Sequence, residues 1–114
     1  MTHDIRNGDV WKSKTAERRA IIVDIPGAYL VYQAINAAGK RGNTETCGVS
    51  AFVKRRTLWE RNGLRVGDVR AMGKASTTKI LVLRNDVAVC DDADGIRTYP
   101  AAEIAALPLV SRKD

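Results

Sequence analysis

The residues best equipped for chemistry in this chain are basic and aromatic. Lys54-Arg55-Arg56 runs between Phe52 and Trp59, Lys12, Lys14, Arg18 and Arg19 follow Trp11, and Lys40-Arg41 stands in a Gly- and Asn-bearing stretch. Lysine and arginine neutralise phosphates or carboxylates, and rings beside them stack on bases or anchor a protein contact. Nucleophilic and metal chemistry have poorer materials. The one histidine, His3, has no second histidine to serve a Ser-His or Cys-His pair. Asp91-Asp92-Ala93-Asp94-Gly95 is the richest carboxylate run, and Glu103 is twelfth when counted from Asp92, as in a calcium loop. Yet Ile96 in that frame has no ligating side chain, the glycine comes two places early, and Pro100 interrupts, so the run reads as a solvated hairpin loop. The glycines are scattered and form no phosphate-cradling loop. A binding protein without catalytic residues, metal or cofactor is the expectation.

The charge is uneven. Residues 1–61 hold eleven Lys/Arg against six Asp/Glu, a balance of +5, whereas residues 62–114 hold eight against seven, a balance of +1. The basic half would meet an anionic partner, nucleic acid or an acidic protein. A hydrophobic content of 45% is enough for a packed core and argues against global disorder. Apolar runs are too short to cross a membrane as a helix, and the first ten residues lack a signal-peptide pattern. Cys47 and Cys90 belong to no CxxC pair and read as reduced thiols of a cytoplasmic protein, with a disulfide between them as the alternative.

The elements that must position these residues come twice. Shifted by 59, Ile5-Arg6-Asn7-Gly8-Asp9-Val10 falls on Leu64-Arg65-Val66-Gly67-Asp68-Val69, and Ile21-Ile22-Val23 falls on Ile80-Leu81-Val82. With one residue then deleted, Tyr29–Tyr32 falls on Val87–Cys90; after a loop that is longer in the first copy, Thr44–Val49 falls on Ile96–Ala101, and Phe52 on Ile104. Gly-Asp-Val is a turn leading into a strand. The β-branched runs 20–25 and 79–84 are of strand length, and Pro26-Gly27 and Asn85-Asp86 turn them back on strands 29–34 and 87–90. Loops 36–43 and 91–95 follow, then strands 44–47 and 96–99. Ser50 would cap a helical turn over 51–54, and Pro100 would begin one over 101–106. Strands 57–60 and 109–111 close the copies, which Glu60-Arg61-Asn62-Gly63 joins.

Five strands with one helical turn before the last resemble the SH3-like barrels of the KOW and Tudor type, and the Gly-Asp-Val-Trp opening is similar to short proteins of actinobacteria and their phages. The resemblance implies a mainly β chain, a tandem repeat of two small five-stranded SH3-like barrels at 1–61 and 62–114. In such a barrel the first and last strands are neighbours. Lys12 and Lys14 would then lie near Arg55 and Arg56, with Trp11 and Trp59 close by. Strict alternation puts Val10 in the core and Trp11 outside. The Trp pair is either an exposed stacking surface, or it covers the barrel edge or forms the contact between the two copies, with Lys and Arg stems lying over it. The readings that remain are a nucleic-acid-binding regulator, an adaptor or inhibitor directed at an acidic host protein, and a structural part of a virion.

Overall fold

The computed structural model describes residues 4–15 and 18–112; His3 lies outside them. The chain is mainly β and divides into two compact units, 1–59 and 60–114. The first carries β1 (Val10–Ser13), β2 (Arg19–Asp24), β3 (Tyr29–Ile35), β4 (Arg41–Gly48), α1 (Val49–Arg55) and most of β5 (Arg56–Arg61). The second carries the tail of β5, then β6 (Leu64–Arg65), β7 (Val69–Ala71), β8 (Thr77–Arg84), β9 (Val87–Asp92), β10 (Gly95–Pro100), α2 (Ala101–Ala105) and β11 (Leu109–Ser111). The antiparallel sheets run in the orders β4-β3-β2-β1-β5-β6 and β10-β9-β8-β7-β11. Leaving β6 aside, the two orders are the same. Among the described residues neither sheet closes on itself, so the architecture stands as two open sheets of matching topology.

The repeat extends to individual hydrogen bonds. Gly8 N–H donates to the Ile22 carbonyl (2.8 Å) and Gly67 N–H to that of Ile80 (2.7 Å). In return Ile22 N–H donates to the Asp9 carbonyl and Ile80 N–H to that of Asp68, both at 2.9 Å. Gly8 and Gly67 take φ of +87° and +96°, which side chains resist, so glycine is required at both corners. At the other end of each copy, Val49 N–H reaches the Ala28 carbonyl and Ala101 N–H that of Asp86. A register irregularity falls between Ile22 and Asp24 in one copy and between Ile80 and Val82 in the other.

These pairs correct the sequence alignment. Ile22, not Ile21, is the counterpart of Ile80, so the single deletion lies before β2 rather than after it. A one-residue slip exchanges the faces of a strand. The corrected register puts Ile22 and Ile80 together in the two cores, at 2% and 0% exposure. Leu30 and Ala88, and Phe52 and Ile104, are further buried pairs. The loop after β3 is also tighter than expected. Asn36 Oδ1 accepts from the amides of Ala38 and Lys40, and β4 starts at Arg41. The α1 N-cap is Gly48 rather than Ser50, and no side chain caps it. Asn62-Gly63, with φ of +53° and +81°, forms the two-residue turn between β5 and β6.

Asp9 and Asp68 are buried at the same corner of the two copies. Each accepts a backbone N–H three residues back, from Arg6 (2.8 Å) and Arg65 (3.1 Å). Trp11 Nε1–H approaches Asp9 at 3.4 Å; at the matching position Arg70 Nη2 lies 3.6 Å from Asp68. Arg112 adds a bidentate pair to Asp68, with both contacts at 2.8 Å. Burial alone would push the Asp68 carboxyl up. The Arg112 and Arg65 hydrogen bonds and the Arg112 and Arg70 charges outweigh it and hold the group below the usual Asp value. Its contribution is therefore complete above about pH 3.9 and drains away as pH falls below that. Asp68→Asn is expected to cost about 3–5 kcal/mol at neutral pH, read from urea midpoints. It should also flatten the acid limb of the stability curve; wild type and variant running parallel down to pH 2 would contradict this assignment.

Candidate functional site

The basic clusters of the first unit line two hollows that share Arg18. Ser13 N–H donates to the Arg18 carbonyl at 2.9 Å, closing the β1–β2 connection and setting Arg18 and Arg19 beside the end of β1. Lys14 N–H donates to the Arg55 carbonyl at 3.1 Å, which joins that connection to the end of α1. Lys54 and Arg55 occupy the last helical turn, where cations complement the free carbonyls. The turn built on Asn36 presents Lys40 and Arg41; Gly39, at φ +83°, donates back to the Asn36 carbonyl at 2.9 Å.

Two hollows result. One, of about 600 Å³, is lined by Lys14, Arg18, Lys54, Arg55 and Arg56 around Tyr32, Cys47 and Ala51, with Ser13 and Thr15 at its side. The other, of about 510 Å³, is lined by Arg18, Arg19, Lys40 and Arg41 with Asn36 and Ala34. Arg18 belongs to both. Among the described residues that line them there is no carboxylate. Eight of the nine cations expected from sequence thus line one or other of the two hollows. Lys12 lines neither hollow; its ammonium is 5.7 Å from the Trp59 ring centre, over the ring that Arg19 also covers.

The two tryptophans differ from expectation. Trp11 and Trp59 are each only 7% exposed. Trp11 packs edge-on against Phe52 at 6.0 Å and turns its N–H toward Asp9. Val10 is buried too, so β1 is covered on both sides and alternation does not bring Trp11 out. Trp59 lies under the Arg19 guanidinium, 4.5 Å from its ring centre, and under Lys12. The aromatic residue in the basic hollow is Tyr32, which the sequence reading did not single out. Arg56 spans Tyr32 and Phe52, at 5.4 and 4.3 Å from their centres, and so holds the wall as well as charging it.

The second unit uses the equivalent surface differently. Through the matched ladders, Ala20 and Ala34 correspond to Thr78 and Asp92, and Cys47 to Tyr99. Thr78 and Tyr99 both donate their hydroxyls to Asp92, tying β8, β9 and β10 together. Those bonds hold the Asp92 carboxyl below its ordinary value, and the Asp92 bond raises the Tyr99 phenol. Asp91 and Asp92 are therefore strand residues, and only Ala93 and Asp94 form the turn that sequence reading took for a longer loop. Among the described residues no three His, Cys, Asp or Glu side chains converge on a point. No helix is long and apolar enough to cross a membrane. Comparison with protein-family models, curated proteins and solved structures gave no match.

Both cysteines are free thiols. Cys90 is fully buried, and burial pushes its thiol up, whereas Cys47 is half-buried at the basic hollow. A thiol reagent is expected to modify Cys47 in the native protein and Cys90 only after denaturation. Equal rates for the two, followed by peptide mass mapping, would contradict the placement.

Proposed function

We propose that this chain is a non-enzymatic nucleic-acid-binding protein whose first unit grips the phosphate backbone. The observation that carries the reading is the pair of adjoining hollows sharing Arg18, lined by eight cations and, among the described residues, no carboxylate. Such a surface suits a run of phosphates, each of which releases counterions when a Lys or Arg replaces them. Burial of Trp11 and Trp59 removes the rings that would have served as protein hot spots or as a broad stacking platform. Charge is left as the main source of affinity, and recognition depends little on sequence. An SH3-like barrel reading of each half draws support from the common strand order with a helix before the closing strand. A cytoplasmic setting draws support from the two free thiols.

Binding is expected to weaken with salt; if five phosphates are engaged, log K should fall against log salt with a slope of about −4.5 on duplex DNA and about −3.5 on single strands. Lys14→Glu with Arg55→Glu should abolish binding, because both side chains are exposed and line the same hollow. Arg56 is a poorer choice because it packs on Phe52. Lys79→Glu with Arg84→Glu, in the second unit, should leave binding unchanged. Fluorescence anisotropy with labelled DNA and RNA at two salt concentrations reads all of this. No binding at low salt to either would sink the proposal and leave an acidic protein as the partner to seek.

A further inference from the structure

The second copy shows what the first has given up. Thr78, Asp92 and Tyr99 fasten three strands across the surface of the second unit. At those positions the first unit has Ala20, Ala34 and Cys47, all smaller and none able to form that hydroxyl–carboxylate clasp. Ala34 and Cys47 instead line the two hollows. The cations follow the same division. Arg18, Arg19, Lys54 and Arg55 stand where the second copy has Ser76, Thr77, Ala106 and Leu107. Side-chain volume has been removed and positive charge added at both hollows, with Cys47, Lys54 and Arg55 at the larger one, so that hollow is a departure from the shared plan.

We infer that this hollow seats one unpaired nucleotide, so that the groove takes single-stranded nucleic acid in preference to duplex; the inference rests on nucleic acid being the ligand. At about 600 Å³ the hollow falls within the range of small-molecule pockets. Its floor is Cys47, Ala51 and Tyr32 with the Arg56 guanidinium laid over the Tyr32 ring, a plane on which a base can stack, and its rim is the four remaining cations for the flanking phosphates. Arg18, shared with the neighbouring hollow, gives the strand a continuous path past Lys40 and Arg41. In a duplex the bases are paired and stacked inward, and only phosphates would reach the rim. A base can enter only from a strand free to turn it outward.

The full-length protein is titrated at low salt with one labelled oligonucleotide, single-stranded and annealed to its complement. A preference of roughly tenfold or more for the single strand is expected, the size a single stacked base contributes. Equal affinity for both forms overturns this inference and leaves the proposed function standing; binding to neither overturns both. Cys47→Tyr fills the hollow with the residue of the second copy and changes no charge. It should remove most of the single-strand preference while duplex binding persists, with circular dichroism and melting checking the fold. Unchanged preference in a folded variant defeats the inference. Should that variant misfold, alkylation of Cys47 in the native protein decides. The single strand should slow it and the duplex should not, and equal rates with and without the single strand would count against an occupied hollow.

Discussion

The buried carboxylate at the opening corner of each copy is the constraint on which the rest depends. Asp9 and Asp68 are secluded from water, and a carboxylate there is tolerated only when donors surround it. Each takes a backbone N–H from three residues earlier, which fixes the turn. The same residue's backbone carbonyl receives Ile22 or Ile80, which fixes the register of the second strand on the first. From that register follow the buried positions of β2 and β8, the matching irregularities beyond them, and the return of β3 and β9. A polar anchor with directional bonds specifies what a purely apolar corner would leave free to slip.

The two copies satisfy that anchor at different electrostatic cost, and this shapes their surfaces. In the second unit the buried Arg70 and the exposed Arg112 both pair with Asp68, so two cations are committed to that carboxylate. In the first unit the Arg70 position is Trp11, which offers a neutral N–H and a ring for Phe52. The remaining cations of the first unit are carried outward by the β1–β2 connection, the end of α1 and the Asn36 turn. Eight of them line the two hollows, at whose walls Ala34 and Cys47 stand for the larger Asp92 and Tyr99 of the second copy. The first copy thus has a basic hollow where the second has a hydroxyl–carboxylate clasp.

Much of this was legible in the residues. Gly-Asp-Val at both corners marked the repeat, and β-branched runs with Pro-Gly and Asn-Asp turns marked the hairpins. The one-residue error in the alignment arose because Ile21-Ile22-Val23 matches Ile80-Leu81-Val82 equally well by residue class at either offset; only the ladder tells which isoleucine is inside. Trp11 misled because alternation assumes one wet face, and β1 has none at that point. Tyr32 and Cys47 were missed because each looks like an ordinary strand residue. Their exposure in the hollow goes with the loss of Tyr99 and Asp92 equivalents, visible in sequence only after the copies are correctly aligned. The basic clusters were found because charge is a property of composition, whereas their convergence depends on the Lys14–Arg55 and Ser13–Arg18 backbone bonds.

The most direct measurement of the central claim is an amide chemical-shift map of the full-length protein titrated with a short single-stranded oligonucleotide. The shifts should concentrate at Ser13–Thr15, Arg18–Arg19, Tyr32–Gly42, Cys47 and Ala51–Arg56, and the amides of β8, β9 and β10 should stay still. Shifts centred on Thr78, Asp92 and Tyr99, or spread evenly over both units, would contradict the assignment of binding to the basic hollow of the first copy.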